Sequence, residues 1–188
     1  IILSFICKTQ NLIVNGSFEQ HTSVPAPNNC GNFLTQWSTI ASPDYYIDLC
    51  TNNGVPINSF GFCSALSGNA YIGIGTIGYP YERKECIYQY LQVPLIAGKS
   101  YYTSFFLSKS DRTRIATEKI GAYFSVNQPT VASATDAFLA TPQVENHSGF
   151  LTDTVNWIKI EGYFTAQGGE QYITIGNFNS NAFIYFQF

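Results

Sequence analysis

Residues 157–178 read WIKIEGYFTAQGGEQYITIGNF, and the reading of this stretch decides the fold class. Ile158, Ile160 and Phe164 alternate with Lys159, Glu161 and Tyr163, the period of two that gives a strand one apolar and one polar face. Ala166-Gln167-Gly168-Gly169-Glu170 interrupts the alternation with turn residues, and residues 171–178 resume it. Two such runs around a Gly-Gly pair predict a β-hairpin.

Working outward, the same signature recurs. Residues 100–108 (SYYTSFFLS), 120–126 (IGAYFSV) and 69–75 (NAYIGIG) read as strands. In residues 86–97 (CIYQYLQVPLIA), Ile87, Gln89 and Leu91 face one way and Tyr88 and Tyr90 the other. Pro94 ends that run or places it at a sheet edge. Residues 20–68 are irregular, with apolar islands at 33–37 and 45–47, while 109–119 reads as a loop or one helical turn and 127–154 as loop. About eight strand candidates and no amphipathic helix make an antiparallel two-layer β-sandwich the economical architecture.

The composition fits. The 188 residues include 13 Tyr, 15 Phe and 15 Gly, with 11% charged residues, a profile of strands and turns and not of disorder. One full-sized core is expected. A net charge of −3 with nine dispersed Lys and Arg leaves no electrostatic footprint for nucleic acid. It suits a neutral ligand, and sugars are the obvious neutral polar class. No stretch approaches the ~20 apolar residues of a membrane span.

The chain contains no Met, and residues 1–7 (IILSFIC) precede the polar Lys8-Thr9-Gln10. Residues 1–10 therefore read as the remnant of a signal peptide, with 11–188 a single domain that is secreted or held at the cell surface. Export makes the cysteines interpretable as disulfide partners. Beyond Cys7 they are Cys30, Cys50, Cys63 and Cys86. A Cys30–Cys50 bridge would close a loop of about 20 residues, worth roughly 3 kcal/mol in the chain-entropy model. Cys63 with Cys86 is its complement, and the spacing leaves the other two connectivities open.

Gly73-Ile74-Gly75-Thr76-Ile77-Gly78 matches G-x-G-x-x-G, yet Tyr79-Pro80-Tyr81 follows where the dinucleotide fingerprint needs a helix. These glycines read as turn and packing residues. Asp44 with Asp48, or Glu82 with Glu85, could be imagined as a glycosidase pair, but spacing within loops fixes no separation across a cleft. Only His21 and His147 could join a thiol nucleophile or a zinc site. No catalytic residue is assigned. The loop aromatics Trp37, Tyr45, Tyr46, Tyr79 and Tyr81 are the candidate sugar platform. Asn15-Gly16-Ser17 and Asn146-His147-Ser148 match the glycosylation pattern. At residues 11–19 (NLIVNGSFE), an apolar run breaks at Asn15-Gly16, which readily supplies a turn's positive φ angles, and Glu19 follows as a candidate oxygen ligand or a solvated carboxylate.

Taken together, NLIVNGSFE, Trp37, PDYY (43–46), GNAYIGI (68–74), PLIAGKSY (94–101), IGAYFS (120–125) and residues 157–178 resemble the secreted jelly-roll domains of gliding and surface-associated proteins of Gram-negative bacteria. More distantly they are similar to carbohydrate-binding modules of the galactose-binding-like fold. The resemblance covers most of residues 11–178 and implies a jelly-roll β-sandwich. It also implies Glu19 as a ligand of a structural Ca²⁺, aided by backbone carbonyls. The chain departs from the pattern at its end: residues 179–188 (NSNAFIYFQF) carry no acidic pair, so the chain stops short of the usual last strand or the site is lost. The expected function is non-catalytic recognition of a polysaccharide or glycan. The alternative is an adhesion or assembly module contacting protein partners of the envelope or motility apparatus, which calls for an exposed apolar patch. The third is a hydrolase, which requires acids or a nucleophile–base pair converging in one pocket.

Overall fold

A computed structural model describes residues 10–22, 34–78 and 81–180. Residues 1–9 of the signal-peptide remnant (Cys7 among them), Cys30, Tyr79 and the last eight residues fall outside the described residues. The described chain is all-β, without a helix, and every strand pair is antiparallel. The strands are β1 (Ser38–Ile40), β2 (Asp44–Ile47), β3 (Ile57–Asn58), β4 (Gly61–Phe62), β5 (Ala70–Gly73), β6 (Cys86–Tyr90), β7 (Ser100–Leu107), β8 (Gly121–Ser125), β9 (Val144–Glu145), β10 (Ile158–Thr165) and β11 (Tyr172–Gly176). A five-stranded sheet runs β1-β6-β11-β8-β9, and three two-stranded ladders pair β10 with β7, β2 with β5 and β3 with β4.

One core joins the sheet to two of the ladders. Ile87, Ala122, Phe124, Ile173 and Ile175 of the sheet pack with Tyr45, Ile47 and Ala70 of β2–β5 and with Ile160 of β10. Phe124 of β8 stacks on Phe164 of β10 with ring centroids 4.4 Å apart, and Phe164 also stacks on Tyr101. Strand β9 lies close on β10, because a Cβ at Gly162 would stand 3.1 Å from a Val144 methyl. Alternation within the strands assigns the faces as read from sequence: Ile158, Ile160 and Phe164 are turned toward the core, while Lys159, Glu161 and Tyr163 are exposed.

The predicted hairpin is overturned. Strand β10 pairs with β7, whereas β11 lies between β6 and β8 in the other sheet. The turn at 166–171 is thus an arch that carries the chain across the core, and a second arch at 91–99 does the same between β6 and β7. The two are stitched together by main-chain hydrogen bonds. Leu91 N–H donates to Gln171 O (2.7 Å), Leu95 N–H to Glu170 O (2.9 Å), Gly98 N–H to Ala166 O (2.9 Å), Ala166 N–H to Lys99 O (2.9 Å) and Gly169 N–H to Leu95 O (2.9 Å). Glu170, only 4% exposed, folds its carboxylate back to accept the N–H groups of Gln167 (2.7 Å) and Gly168 (2.8 Å). Gly168 has φ +102°, and a Cβ there would approach Ala97 Cβ to 2.8 Å, so glycine is required by both backbone and space. The sequence rule failed because a Gly-Gly turn records a reversal of direction and not the sheet each flanking strand joins.

The opening apolar run 11–14 forms no strand. Gln89, a core-facing residue of β6 that is 2% exposed, supplies a substitute partner: Val14 N–H donates to its Oε1 (2.8 Å) and its Nε2 donates to Val14 O (2.7 Å). Gln143 does the same for Phe124 of β8, accepting from Phe124 N–H (2.7 Å) and donating to Phe124 O (3.0 Å). Each carboxamide presents one donor and one acceptor side by side, the pattern of a single strand residue.

Replacing Glu170 with Ala removes a buried charged acceptor from two amide donors, those of the exposed Gln167 and the half-buried Gly168. We expect a loss of about 2–4 kcal/mol in unfolding free energy by denaturant titration, from two charge-assisted hydrogen bonds, with an unchanged m-value. A Glu170→Ala variant within 0.5 kcal/mol of the parent, the scale of an ordinary surface substitution, would show that the arch is held without it.

Candidate ligand-binding site

Of the aromatics expected to hold a ligand, Trp37, Tyr45 and Tyr46 are buried, at 8%, 3% and 3% exposure. Each spends its polar atom internally. Trp37 Nε1–H donates to Asn15 O (3.0 Å), Tyr45 Oη–H to Phe18 O (2.8 Å) and Tyr46 Oη–H to Asp44 Oδ2 (3.2 Å). Tyr46 stacks on Tyr71, which in turn meets Trp157 edge-on. Their proximity in sequence to turn residues suggested loops, but burial of a large ring with a satisfied phenol outweighs local turn propensity. These three are core residues, closed to solvent. Tyr81 is exposed, and Tyr79 lies outside the described residues.

Around them the opening motif folds as a knot about Asn15. That side chain donates from Nδ2 to Gln20 O (2.9 Å) and Thr35 O (3.0 Å) and accepts Gln20 N–H at Oδ1 (2.9 Å). Within the Asn15-Gly16 pair it is Asn15 that has a positive φ (+50°), and Phe18 (+64°) is the second such residue of the motif. Glu19 Oε1 accepts the N–H groups of Asn69 and Ala70, both at 3.0 Å. Two amide dipoles on one oxygen have the polarity that holds an anion, so a Ca²⁺ ion would have only Oε2 and backbone carbonyls to take. Among the described residues no three His, Cys, Asp or Glu side chains cluster as a metal site. The glycosylation pattern at Asn15 and Asn146 is also structural: both are buried, and Asn146 Nδ2 donates to Glu118 O (2.8 Å) and Gly149 O (2.7 Å).

Cys50 is disulfide-bonded, and Cys30, the partner expected for it, falls outside the described residues. The complementary Cys63–Cys86 bridge is corrected, since both are free thiols. Cys86 is fully buried beneath Ile40 and Phe178, and its Sγ stands where a Cβ on Gly176 would be. Burial pushes its thiol pKa up to about 12. The Cys63 thiol is raised as well, chiefly by burial. The carboxylates imagined as a catalytic pair hold backbone and phenol: Glu85 Oε2 accepts Gly75 N–H (2.6 Å), and burial, then the nearby Asp44, raises the Glu85 pKa.

The structure instead gathers aromatics on the outer face of the five-stranded sheet. Register places Tyr172 opposite Tyr90 on one side and Ser125 on the other, and Thr174 between Tyr88 and Tyr123. Because Ile87, Ile173, Ala122 and Phe124 fill the core face, these tyrosines point away from it. Tyr90 and Tyr172 meet edge-on at 5.4 Å, and Tyr88 and Tyr172 are tilted against one another at 6.4 Å. Carboxamides anchor the phenols: Gln128 Nε2 donates to Tyr88 Oη (2.9 Å) and Gln171 Nε2 to Tyr90 Oη (2.8 Å). The loop after β8 forms a wall, with Phe138 packed against Tyr123 and Phe178. Between wall and sheet opens a cavity of about 390 Å³ lined by Tyr123, Ser125, Asn127, Gln128 and Phe138 among others, with no charged side chain. A neighbouring cavity of about 410 Å³ differs in being lined by Arg83, Lys84 and Asp136. The sequence contained this tyrosine face as alternation, with Tyr88 and Tyr90 opposed to Ile87 and Gln89. Only pairing across three strands shows that the polar faces combine.

No family model matches the chain, and neither a curated protein nor a solved structure is similar to it.

Two measurements check this geometry. Burial raises Tyr45 and Tyr71 from the ordinary 10.0 to about 12, and raises Tyr46 further in the same direction, aided by Asp44. The folded state therefore holds these protons more tightly than the unfolded chain, and the linked stability is intact below pH 10 and declines from there to about pH 12. Denaturant midpoints across that window are expected to fall, and the decline should shrink in Tyr46→Phe. Thiol labelling of the native protein should modify Cys63 slowly and Cys86 only after unfolding; prompt native labelling of both would contradict the burial of Cys86.

Proposed function

We propose that the protein is a non-catalytic module that binds neutral glycan chains on the tyrosine face of its five-stranded sheet, within a jelly-roll β-sandwich. The observation that carries this reading is the uncharged cavity at Tyr123 and Gln128 beside the cluster Tyr88, Tyr90 and Tyr172. Flat aromatic faces cover the C–H surface of a pyranose ring, and carboxamides and hydroxyls give and accept the hydrogen bonds of its rim. Gln128, Gln171, Asn127 and Ser125 supply both kinds of group without charge. The shared core with sheet and ladders on its two sides supports the sandwich. The disulfide at Cys50 supports export to an oxidising compartment, as a secreted or cell-surface protein. No helix of the described residues is long and apolar enough to cross a membrane. Calcium belongs to the proposal only through the Oε2 of Glu19, as a stabiliser away from the glycan face, and a rise in Tm on adding millimolar Ca²⁺ that Glu19→Gln abolishes would support it.

The second reading, a module that docks on protein partners of the envelope, has its own observation. Ile57, Phe60 and Phe62, on the β3–β4 hairpin, are each more than half exposed. The hairpin is fastened by Ser110 Oγ–H to Phe60 O (2.5 Å) and Arg112 to Ser59 O (3.1 Å). If assembly is the function, Phe60→Ser/Phe62→Ser abolishes partner capture and leaves glycan retention unchanged.

Affinity electrophoresis through gels cast with soluble neutral polysaccharides (β-glucan, xylan, galactomannan) tests the first reading. The parent chain is expected to be retarded by at least one of them, equally at low and high salt because the site is uncharged. Tyr90→Ala and Gln128→Ala should each weaken retention about tenfold, the scale of one lost ring contact or hydrogen bond. Retention by none of the polysaccharides, with the fold intact by near-UV circular dichroism, would refute the reading.

A further inference from the structure

We infer that the outer face of the β7–β10 ladder is a second glycan-binding face, making the protein bivalent and able to cross-link neutral polysaccharide chains. This rests on the glycan reading of the first face and adds a site to it. The eight-residue strands pair in full register, with Ser100 opposite Thr165, Tyr102 opposite Tyr163, Ser104 opposite Glu161 and Phe106 opposite Lys159. All eight side chains are on the exposed face. Tyr163 is 76% exposed, Tyr102 46% and Phe106 39%, so three large rings stand in water on one face of the ladder, where burial would ordinarily be worth about 1.5–3 kcal/mol each.

The polar groups between the rings are arranged to leave no net charge. Lys159 Nζ lies 2.6 Å from Glu161 and 5.6 Å from the centroid of the Tyr102 ring, and Tyr102 donates its phenol to the same carboxylate. Tyr102 and Tyr163 themselves are 5.0 Å apart, inclined at 48°. Tyr102 and Phe106, four residues apart on one strand, are separated by about 13 Å at the rise of an extended chain, enough for a short run of sugar rings between two stacking contacts. The centre of a protein-docking patch is depleted of Lys and Glu; here Lys159 and Glu161 stand among the rings as a self-neutralised ion pair, with hydroxyls beside them. That chemistry matches an uncharged polyhydroxylated chain.

The inward residues of β7–β10 and those of the five-stranded sheet fill the same core, and Phe124 stacks directly on Phe164 between them. The two outer faces therefore look in opposite directions, and one ligand strand cannot lie on both. Two faces aimed apart bind two chains, and avidity toward a polymer exceeds either single affinity.

The experiment compares the parent chain with Tyr102→Ala/Tyr163→Ala and with Tyr90→Ala/Gln128→Ala, by affinity electrophoresis and by turbidity of the same soluble polysaccharides. The substituted tyrosine pair on the ladder is solvent-exposed, and near-UV circular dichroism and the denaturation midpoint verify the fold of each variant. The expected result is that the parent cross-links a polysaccharide into a turbid suspension, while each variant is still retained in the gel, about tenfold more weakly, and raises no turbidity. A ladder variant that matches the parent in both assays overturns the second face and leaves the first standing. A ladder variant that is not retained at all, beside an unaffected Tyr90→Ala/Gln128→Ala, overturns bivalency and moves the glycan site to the ladder. A parent retained by no polysaccharide overturns both readings together.

Discussion

The arrangement of strands depends on two arches crossing the core side by side. Neighbours β6 and β11 in the sheet continue into neighbours β7 and β10 in the ladder, so segments 91–99 and 166–171 must leave one layer and enter the other at the same level. Main-chain groups there are cut off from their strand partners, and those of Leu91, Leu95, Ala166 and Glu170 are buried as well, which costs free energy unless each is paired. The two segments solve this for one another with five inter-arch hydrogen bonds, and Glu170 satisfies two further amides from within. The directions in which the outer residues of all four strands point follow from that crossing.

Three carboxamides extend the same logic to the ends of the ladders. Gln89 pairs with Val14 and Gln143 with Phe124, each replacing a strand by one side chain. Asn15 ties together Gln20, Thr35 and, through its own carbonyl, Trp37. A carboxamide can serve a donor and an acceptor at once without the desolvation penalty of a charge, which suits a chain with 11% charged residues. At Phe124, where β9 no longer pairs with β8, it also closes a strand edge that would otherwise invite another chain.

The tyrosines divide into two populations by where the phenol goes. Those at 45, 46 and 71 direct it to Phe18 O, to Asp44 and, as acceptor, to Asn58, and they are buried. Those at 88 and 90 accept from Gln128 and Gln171 at the surface of the sheet, and those at 102 and 163 stand on the ladder. Rings whose phenols are already tied by a hydrogen bond, as at 88, 90 and 102, lose little conformational freedom when a ligand stacks on them. Glycan recognition is proposed on this second population.

Local pattern by itself determined the class of the protein and the facing of its longest strands. Alternation at 158–164 and 87–91 is a property of neighbouring residues, and an apolar face must be buried whatever covers it, so the all-β core was legible in Ile158, Ile160, Phe164, Ile87 and Leu91. Which strand lies beside which is not local. Gly168-Gly169 reverses the chain equally well in a hairpin and in an arch, and only the competition for partners among β6, β7, β8 and β10 decides between them. The same non-local packing buried Trp37, Tyr45 and Tyr46 despite their turn-rich surroundings and left Cys63 and Cys86 as separate thiols. It also assembled Tyr88, Tyr90, Tyr123 and Tyr172, drawn from three strands, into one surface, because a sheet sums the outward residues of its members and no single stretch of sequence carries that sum.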